Sequence, residues 1–303
     1  MGQSKLILLA ITLLVAAFSA KGAQVVVPNP GLNWEGNSHD FFPFMIKAVG
    51  LTSARYQQVY GASQFSAISS NGALITQIFF RLDCVRKFGV ARATNVQINL
   101  STTLKAPDNL SPVFAENIGA DDTVVSGPGE VPLPGPFEFG CPIPFDNGIV
   151  LSTPFFYSPS RGNLLLDVRN FSAGSYFPPP EDPPLKMDAA NIPGDSVSRV
   201  YAESVTATNA TRVDTTGLVT RFEFQPIPQL TIDPNANSAV ITWPAEPSVF
   251  VLQSSESLAP AAWQTMTNGI GGDTMIRSFT VSQASSGPNQ FFRLVWESGP
   301  PNP

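Results

Sequence analysis

Charged side chains are scarce in this chain, and the acidic ones outnumber the basic ones. Only 13% of its 303 residues are Asp, Glu, Lys or Arg, and the formal net charge is -6 at pH 7. An average globular chain carries about 25% charged residues. Because Lys and Arg form no extended cluster that would neutralise phosphate groups, the composition argues against binding to nucleic acid or to an anionic membrane surface.

Histidine is scarcer still. His39 is the only histidine, so a Ser-His-Asp triad would have to use it. It lies in the polar segment NWEGNSHD (residues 33–40), and no serine of the chain stands in a G-x-S-x-G turn. Zinc sites usually take several His or Cys ligands. We therefore expect His39 to be a surface residue and neither a catalytic base nor a zinc ligand.

Cysteine is limited to Cys84 and Cys141. In an oxidising compartment, such a pair is more often a disulfide than a metal site or a nucleophile. The alternative is two thiols that are buried separately. We predict the disulfide, and the loop that it closes implies a stabilisation of about 4 kcal/mol in the chain-entropy treatment.

Long apolar runs are absent except at the N-terminus. Lys5 precedes an apolar stretch at residues 6–18, and small residues follow at several of positions 19–23. This layout predicts a secretory signal peptide at residues 1–23, since the stretch is shorter than the roughly 20 residues that span a bilayer. We expect a secreted protein, extracellular, periplasmic or at the cell surface, with no membrane span after cleavage. The polar end, residues 297–303, is expected to be a disordered tail.

Short strands dominate the pattern of the remaining chain. It holds 29 Pro and 23 Gly, yet 43% of the residues are hydrophobic, which favours strands joined by turns over disorder. Helical periodicity is nearly absent. A turn of helix is expected at residues 56–62 and at residues 109–117, the second capped by Ser111 with Pro112 at its first position. The predicted strands are residues 73–84, 94–102, 148–151, 163–169, 196–202, 219–224, 229–232, 239–243, 249–254, 276–281 and 290–296.

Proline marks the expected boundaries. The Pro-rich segments at residues 127–144 and 171–184 are typical of surface loops. FQPIPQ (residues 224–229) is typical of a stiff linker. This organisation predicts an all-β protein with a large β-sandwich domain at residues 24–226 and a small domain at residues 228–296.

The small domain carries a recognisable series of motifs. AVITWP (residues 239–244) is followed by VLQSSESL (residues 251–258), Trp263 and a closing FFRLVW (residues 291–296). The series resembles the fibronectin type III-like or immunoglobulin-like module at the C-terminal end of many secreted bacterial proteins. The resemblance implies a small β-sandwich with an accessory role, and it does not imply catalysis.

The larger domain also carries a resemblance. Its strings RYQQVYGASQF, IFFRLDC, VQINLSTT, FAENIGADDTVV, GNLLLDVR and GLVTRFEF resemble a group of uncharacterised secreted bacterial β-sandwich proteins that often carry C-terminal sorting signals, of which we expect none here. The resemblance implies a jelly-roll-like β-sandwich. It implies no activity for any residue of this chain.

Aromatic and acidic side chains are the candidates for a binding site. Tyrosines in or beside loops would offer a stacking surface for sugars, and those expected there are Tyr56, Tyr60, Tyr157 and Tyr176. Asp121 and Asp122 in GADDT are the candidates for one structural calcium ion, because hard cations take several loop oxygens. The alternative for these two residues is an acidic turn, and no other cofactor is expected.

Carboxylates are the remaining route to catalysis, since jelly-roll glycosidases place two of them across a cleft. The candidates by residue type are Glu35, Asp40, Asp83, Glu116 and Asp167, but no spacing pairs them. We therefore expect a secreted, non-catalytic binding protein, or a cell-surface or extracellular-matrix protein, whose ligand the sequence does not identify; the candidate partners are an extracellular glycan and an envelope protein. The alternatives are a lectin-like carbohydrate-binding protein, a carboxylate-dependent glycoside hydrolase and a matrix component that assembles by strand addition.

Overall fold

The computed structural model describes residues 22–29, 33–69, 72–84, 90–133, 141–172, 175–177, 185–235, 238–245, 250–282 and 290–296. The chain divides into two compact units, Met1–Pro226 and Ile227–Pro303. Residues 1–21 of the predicted signal peptide, the predicted tail and most of the Pro-rich segment at 171–184 lie outside the described residues.

Strands and short 3-10 helices make up the regular structure of the described part of the first unit. The 3-10 helices are Ile46–Val49, Ala62–Phe65, Phe114–Asn117 and Pro159–Arg161. The strands are β1 (Ala23–Val27), β2 (Ser38–Asp40), β3 (Ala54–Tyr60), β4 (Ala73–Phe80), β5 (Val90–Thr103), β6 (Thr123–Val131), β7 (Ile149–Tyr157), β8 (Asn163–Asn170), β9 (Ser175–Phe177), β10 (Met187–Asn191), β11 (Val197–Ala202), β12 (Arg212–Asp214), β13 (Thr216–Leu218) and β14 (Thr220–Pro226).

Two antiparallel sheets enclose the core of this unit. One has the strand order β1-β14-β4-β7, and the other has the order β12-β11-β3-β8-β5-β6, with β9 paired to β5. Buried side chains from both sheets, such as Ile75 and Phe222 from one and Tyr60 and Leu166 from the other, belong to one hydrophobic cluster. This is a β-sandwich packing, and the all-β prediction is confirmed. A third, small sheet has the order β13-β10-β2.

The expected helix at residues 56–62 is wrong. These residues belong mainly to β3, an inner strand paired with β11 and β8. Gln57 and Gln58 are buried together with the apolar residues of the strand. Their amides are satisfied by side chains and backbone: Gln57 donates to Asp167, and Gln58 accepts from the Leu218 amide. Since both faces of β3 are covered, its sequence lacks the alternation that marks a strand.

The expected helix at residues 109–117 is reduced to the 3-10 helix Phe114–Asn117. Ser111 does not cap it, because the position before the helix is Val113. The Ser111 hydroxyl instead accepts from the Val113 amide at 3.1 Å and donates to Glu116 at 2.6 Å. Pro112 therefore precedes the helix and does not begin it.

Two strands contain prolines that had indicated loops or strand ends. β6 includes Pro128, and β7 continues through Pro154 beyond the predicted end at residue 151. Among the described residues, each strand has a sheet partner on one side only, β5 for β6 and β4 for β7. Proline removes one ladder donor and is tolerated at such edges, which is why local composition alone misplaced these strands.

The second unit contains two further antiparallel sheets. Its strands are β15 (Thr231–Asn235), β16 (Ser238–Pro244), β17 (Phe250–Ser255), β18 (Gln264–Thr265), β19 (Ile270–Gly272), β20 (Ile276–Ser282) and β21 (Phe291–Trp296). The sheet orders are β15-β16-β20-β19 and β18-β17-β21. Ile241, Trp243 and Leu252 are buried between residues of both sheets. The resemblance to a fibronectin type III-like module stays a prediction.

Candidate functional site

Three chain segments converge at one end of the small sheet. The residues after β4 run beside the start of β10: Leu82 and Met187 form a bridge, and the Asp83 amide donates to the Lys186 carbonyl at 2.9 Å. The segment that contains Trp34 and Glu35 leads into β2, which pairs with β10 on the same sheet. Residues distant in sequence are thereby brought side by side.

Three carboxylates meet where these segments converge. One oxygen each of Glu35, Asp83 and Asp188 lies within 4.8 Å of the other two. Asp188 is fully buried, and its Oδ1 accepts from the Gly36 amide at 2.9 Å. Gly36 permits this approach because a Cβ there would lie 2.1 Å from the Ala189 carbonyl oxygen. Burial raises the pKa of Glu35 above its usual value.

A buried arginine organises the carboxylates. Arg81 is 1% exposed, and its Nε donates to Asp188 Oδ2 at 2.6 Å. Its Nη2 donates to the backbone carbonyl of Trp34, and its guanidinium lies 5.0 Å from the centroid of the Phe145 ring. Burial raises the pKa of Asp188 to about 6, against the lowering effect of the Arg81 charge. Arg81 therefore joins the Trp34 backbone to the buried acidic centre.

The predicted disulfide is confirmed and borders this cluster. Cys84 and Cys141 are bonded, with their Cα atoms 5.7 Å apart. The Cys84 amide donates to Glu35 Oε1 at 2.6 Å. The cystine thus connects the segment after β4, which positions Asp83, to the segment that carries Phe145.

The outer side of the cluster offers the Asp83 carboxylate and an exposed aromatic ring. Glu35 Oε2 is buried and has no hydrogen-bond partner within the described part of the chain. The Asp83 side chain is 18% exposed, and His39 Nδ1 lies 3.6 Å from its Oδ2. His39 is exposed, as expected, and Lys186 Nζ lies 2.7 Å from its other ring nitrogen. Trp34 is 67% exposed. We call Trp34, Glu35, His39 and Asp83 the Trp34 patch.

The tyrosine candidates do not belong to this patch. Tyr56, Tyr60 and Tyr157 were expected in or beside loops, but they lie in β3 and β7 and are fully buried. Tyr60 donates to or accepts from the Thr220 hydroxyl at 2.9 Å, and Tyr157 donates to the Gly162 carbonyl. They fill the core because their rings pack between the two sheets, so the expected stacking surface is wrong for them. The Tyr176 side chain lies outside the described residues.

The acidic turn has a structural use. Asp121 Oδ1 accepts from the Thr102 amide at 2.6 Å, and Asp122 Oδ2 accepts from the Asn99 amide group at 3.0 Å. Burial raises the pKa of Asp122 above its usual value. Neither residue belongs to the carboxylate cluster. Calcium at this turn stays a prediction.

Three other carboxylate candidates are engaged elsewhere. Asp40 pairs with Arg199, Asp167 accepts from Arg55 at 2.8 Å, and Glu116 accepts from Ser111. These contacts leave Glu35 and Asp83 as the candidates that share one site. Sequence reasoning missed Trp34, Arg81 and Asp188. The only available signal was the pair of charged residues Arg81 and Asp83 at the end of the string IFFRLDC, which places both on one face of the strand.

Comparison with protein-family models, curated proteins and solved structures gives no match to this chain. Among the described residues, no helix is long and apolar enough to cross a membrane. The Trp34 patch is therefore the feature of this chain from which a function can be inferred.

Proposed function

We propose that this chain is a secreted, non-catalytic binding protein and that its Trp34 patch binds an extracellular glycan. The observation that carries the proposal is the exposure of Trp34, whose side chain is 67% accessible. Its backbone carbonyl accepts a hydrogen bond from buried Arg81, and Glu35 follows it directly in the chain. An indole ring offers a flat, largely apolar face to the C–H groups of a sugar ring. Because the Trp34 backbone is already fixed by a hydrogen bond, ligand binding costs little conformational entropy there.

The acceptor oxygens of the patch suit a ligand rich in hydroxyl groups. The Asp83 carboxylate reaches the surface, whereas the nearby Glu35 Oε2 is buried and lacks a donor among the described residues. A carboxylate accepts up to four hydrogen bonds and donates none when ionised. The cations nearby are already engaged, since Arg81 contacts Asp188 and Lys186 contacts His39. The patch therefore favours neutral hydroxylated ligands over anionic ones.

A carboxylate-dependent glycoside hydrolase is the second candidate. The observation that favours it is the proximity of Glu35 and Asp83, with the pKa of Glu35 raised by burial, because glycosidases use one protonated and one ionised carboxyl group. Asp188 is an unsuitable partner, since it is fully buried and bonded to Arg81. We prefer binding over hydrolysis, because hydrolysis requires two carboxyl groups to reach the substrate and binding does not.

Secretion and the accessory module complete the proposal. The Cys84–Cys141 disulfide supports an oxidising compartment, as expected of an exported protein. We infer membership in the group of secreted bacterial β-sandwich proteins and a fibronectin type III-like fold for the second unit. The packing of Trp243 between two antiparallel sheets supports the second of these inferences.

A glycan array followed by calorimetry tests the proposal. We expect the mature protein to bind a neutral oligosaccharide, and Trp34→Ala to weaken binding by at least about 2 kcal/mol, roughly a 30-fold rise in Kd. Leu104→Ala is the matched control, because Leu104 is 91% exposed in the same unit and lies outside the patch. Equal loss in both variants, or no glycan bound, would contradict the proposal. Hydrolysis of a bound oligosaccharide that Glu35→Gln abolishes would establish the second candidate.

A further inference from the structure

The Cys84–Cys141 disulfide stands between two segments that support the same binding patch. We propose that this disulfide is a redox-sensitive switch, whose reduction loosens the Trp34 patch while the two large sheets remain folded. The structural part of the proposal is independent of ligand identity. Only its effect on binding rests on the proposed function.

The disulfide is accessible to a reductant. Cys141 is exposed to solvent, and Cys84 is partly buried. An external dithiol can attack it as a thiolate, forming a mixed disulfide that its second thiol then resolves. The protein gains two electrons and two protons as two thiols, and the dithiol becomes its own disulfide. Both half-reactions therefore balance without a further co-reactant.

Contacts on the Cys84 side transmit the change to the patch. The Cys84 amide donates to Glu35 Oε1 at 2.6 Å. The Asp83 amide is held by the Lys186 carbonyl at 2.9 Å. Displacement of Cys84 would therefore move the carboxylates of Glu35 and Asp83. Trp34 directly precedes Glu35 in the chain, so its position would change as well.

Contacts on the Cys141 side reach the same centre. Phe145 stands four residues beyond Cys141, and its ring packs 5.0 Å from the Arg81 guanidinium and 5.4 Å from that of Arg221. Arg81 in turn holds the Trp34 carbonyl. Freed from the cystine, residues 141–148 would depend for their position on buried Ile143, the Phe145 contacts and the hydrogen bond from Asn147 to Leu133.

The sheets do not depend on this connection. β4 ends at Phe80, before Cys84, and β7 begins at Ile149, after Cys141, so neither half-cystine belongs to a strand. The pairings β3–β8, β5–β8 and β4–β14 run through other residues. Local opening with a low free energy is typical of segments outside the core ladders, so reduction is expected to act on the patch first.

Hydrogen–deuterium exchange of the full chain, with and without dithiothreitol, tests the switch. We expect amides at residues 33–40, 81–84 and 141–148 to exchange at least about tenfold faster after reduction, while β3, β5 and β8 remain protected as the slowest-exchanging strands of the first unit. A Cys84→Ser/Cys141→Ser variant should show the fast pattern at once and no response to dithiothreitol. Unchanged exchange in the three segments, or loss of protection throughout the first unit, would overturn the proposal.

The same samples on the glycan array separate the two proposals. If the oxidised protein binds a printed glycan and reduction weakens its signal by at least about tenfold, the switch controls binding. Binding that reduction leaves unchanged would refute the switch and leave the proposed function intact. A blank array with accelerated exchange would refute the glycan function and retain the structural switch.

Discussion

Removal of the Asp188 charge should destabilise the first unit by about 3 kcal/mol. Arg81 and Asp188 are 1% and 0% exposed, and their Nε and Oδ2 atoms lie 2.6 Å apart. Asp188→Asn keeps the volume of the side chain but leaves the guanidinium buried without its bonded counter-ion. Loss of one partner of a buried ion pair costs about 3–5 kcal/mol. We expect the lower end, because the neighbouring Glu35 charge also interacts with Arg81.

Urea unfolding measures the effect at about pH 7.5, where a pKa of about 6 leaves Asp188 ionised. Hydrogen exchange in β3 and β8 reports the unfolding of the first unit alone. Arg81→Met and Asp188→Leu, each made alone, should be similarly destabilising. The double variant Arg81→Met/Asp188→Leu should lie within about 1 kcal/mol of the natural chain, because apolar side chains of similar volume can replace a buried pair.

This double-mutant cycle can refute the reasoning in two ways. A loss below about 1 kcal/mol in Asp188→Asn, at an unchanged denaturant slope, would show that the buried charge is compensated by other groups. A double variant as unstable as the sum of the singles would show that the two side chains act independently. Either result would refute the conclusion that the Arg81–Asp188 pair stabilises the connection between Trp34 and the acidic centre.

Three other predictions concern stability. Cys84→Ser/Cys141→Ser, which opens a loop with a sequence separation of 57, should lower the free energy of unfolding by about 4 kcal/mol in urea; a change below about 1 kcal/mol would contradict the loop-closure reasoning. Phe222→Ala should cost about 3–5 kcal/mol in thermal unfolding, since Phe222 is fully buried, whereas Phe222→Leu should cost less. Burial raises the pKa of Asp195 to about 6, so the folded state binds this proton more tightly than the unfolded state. Acidification from about pH 7 to pH 5 should therefore stabilise the natural chain relative to Asp195→Asn, by less than about 1 kcal/mol after solvent screening, and a shift of the opposite sign would contradict the assignment.

Much of the strand content follows from local pattern. β8, with Leu164, Leu166 and Val168 on one face, was predicted within one residue of its observed end. β3 was missed because both of its faces are covered, and its glutamines imitate a polar helix face. The buried tyrosines were misplaced for a related reason. Tyr60 stands next to Gly61, and Tyr157 stands two residues before Pro159, which is a setting typical of loops. Only the packing of the two sheets shows that these rings belong to the core.

The composition and spacing of the residues by themselves determined that the chain is all-β, and its two cysteines correctly predicted a disulfide. These properties depend on short-range periodicity and on cysteine chemistry. The Trp34 patch was decided by tertiary structure alone. Glu35, Asp83 and Asp188 come from three segments distant in sequence, and the pairing of β10 with β2 and the bridge between Leu82 and Met187 bring them together. Ion pairs form between residues that are close in space. The order of the carboxylates along the chain therefore could not have shown that Arg81 is the residue that interacts with them.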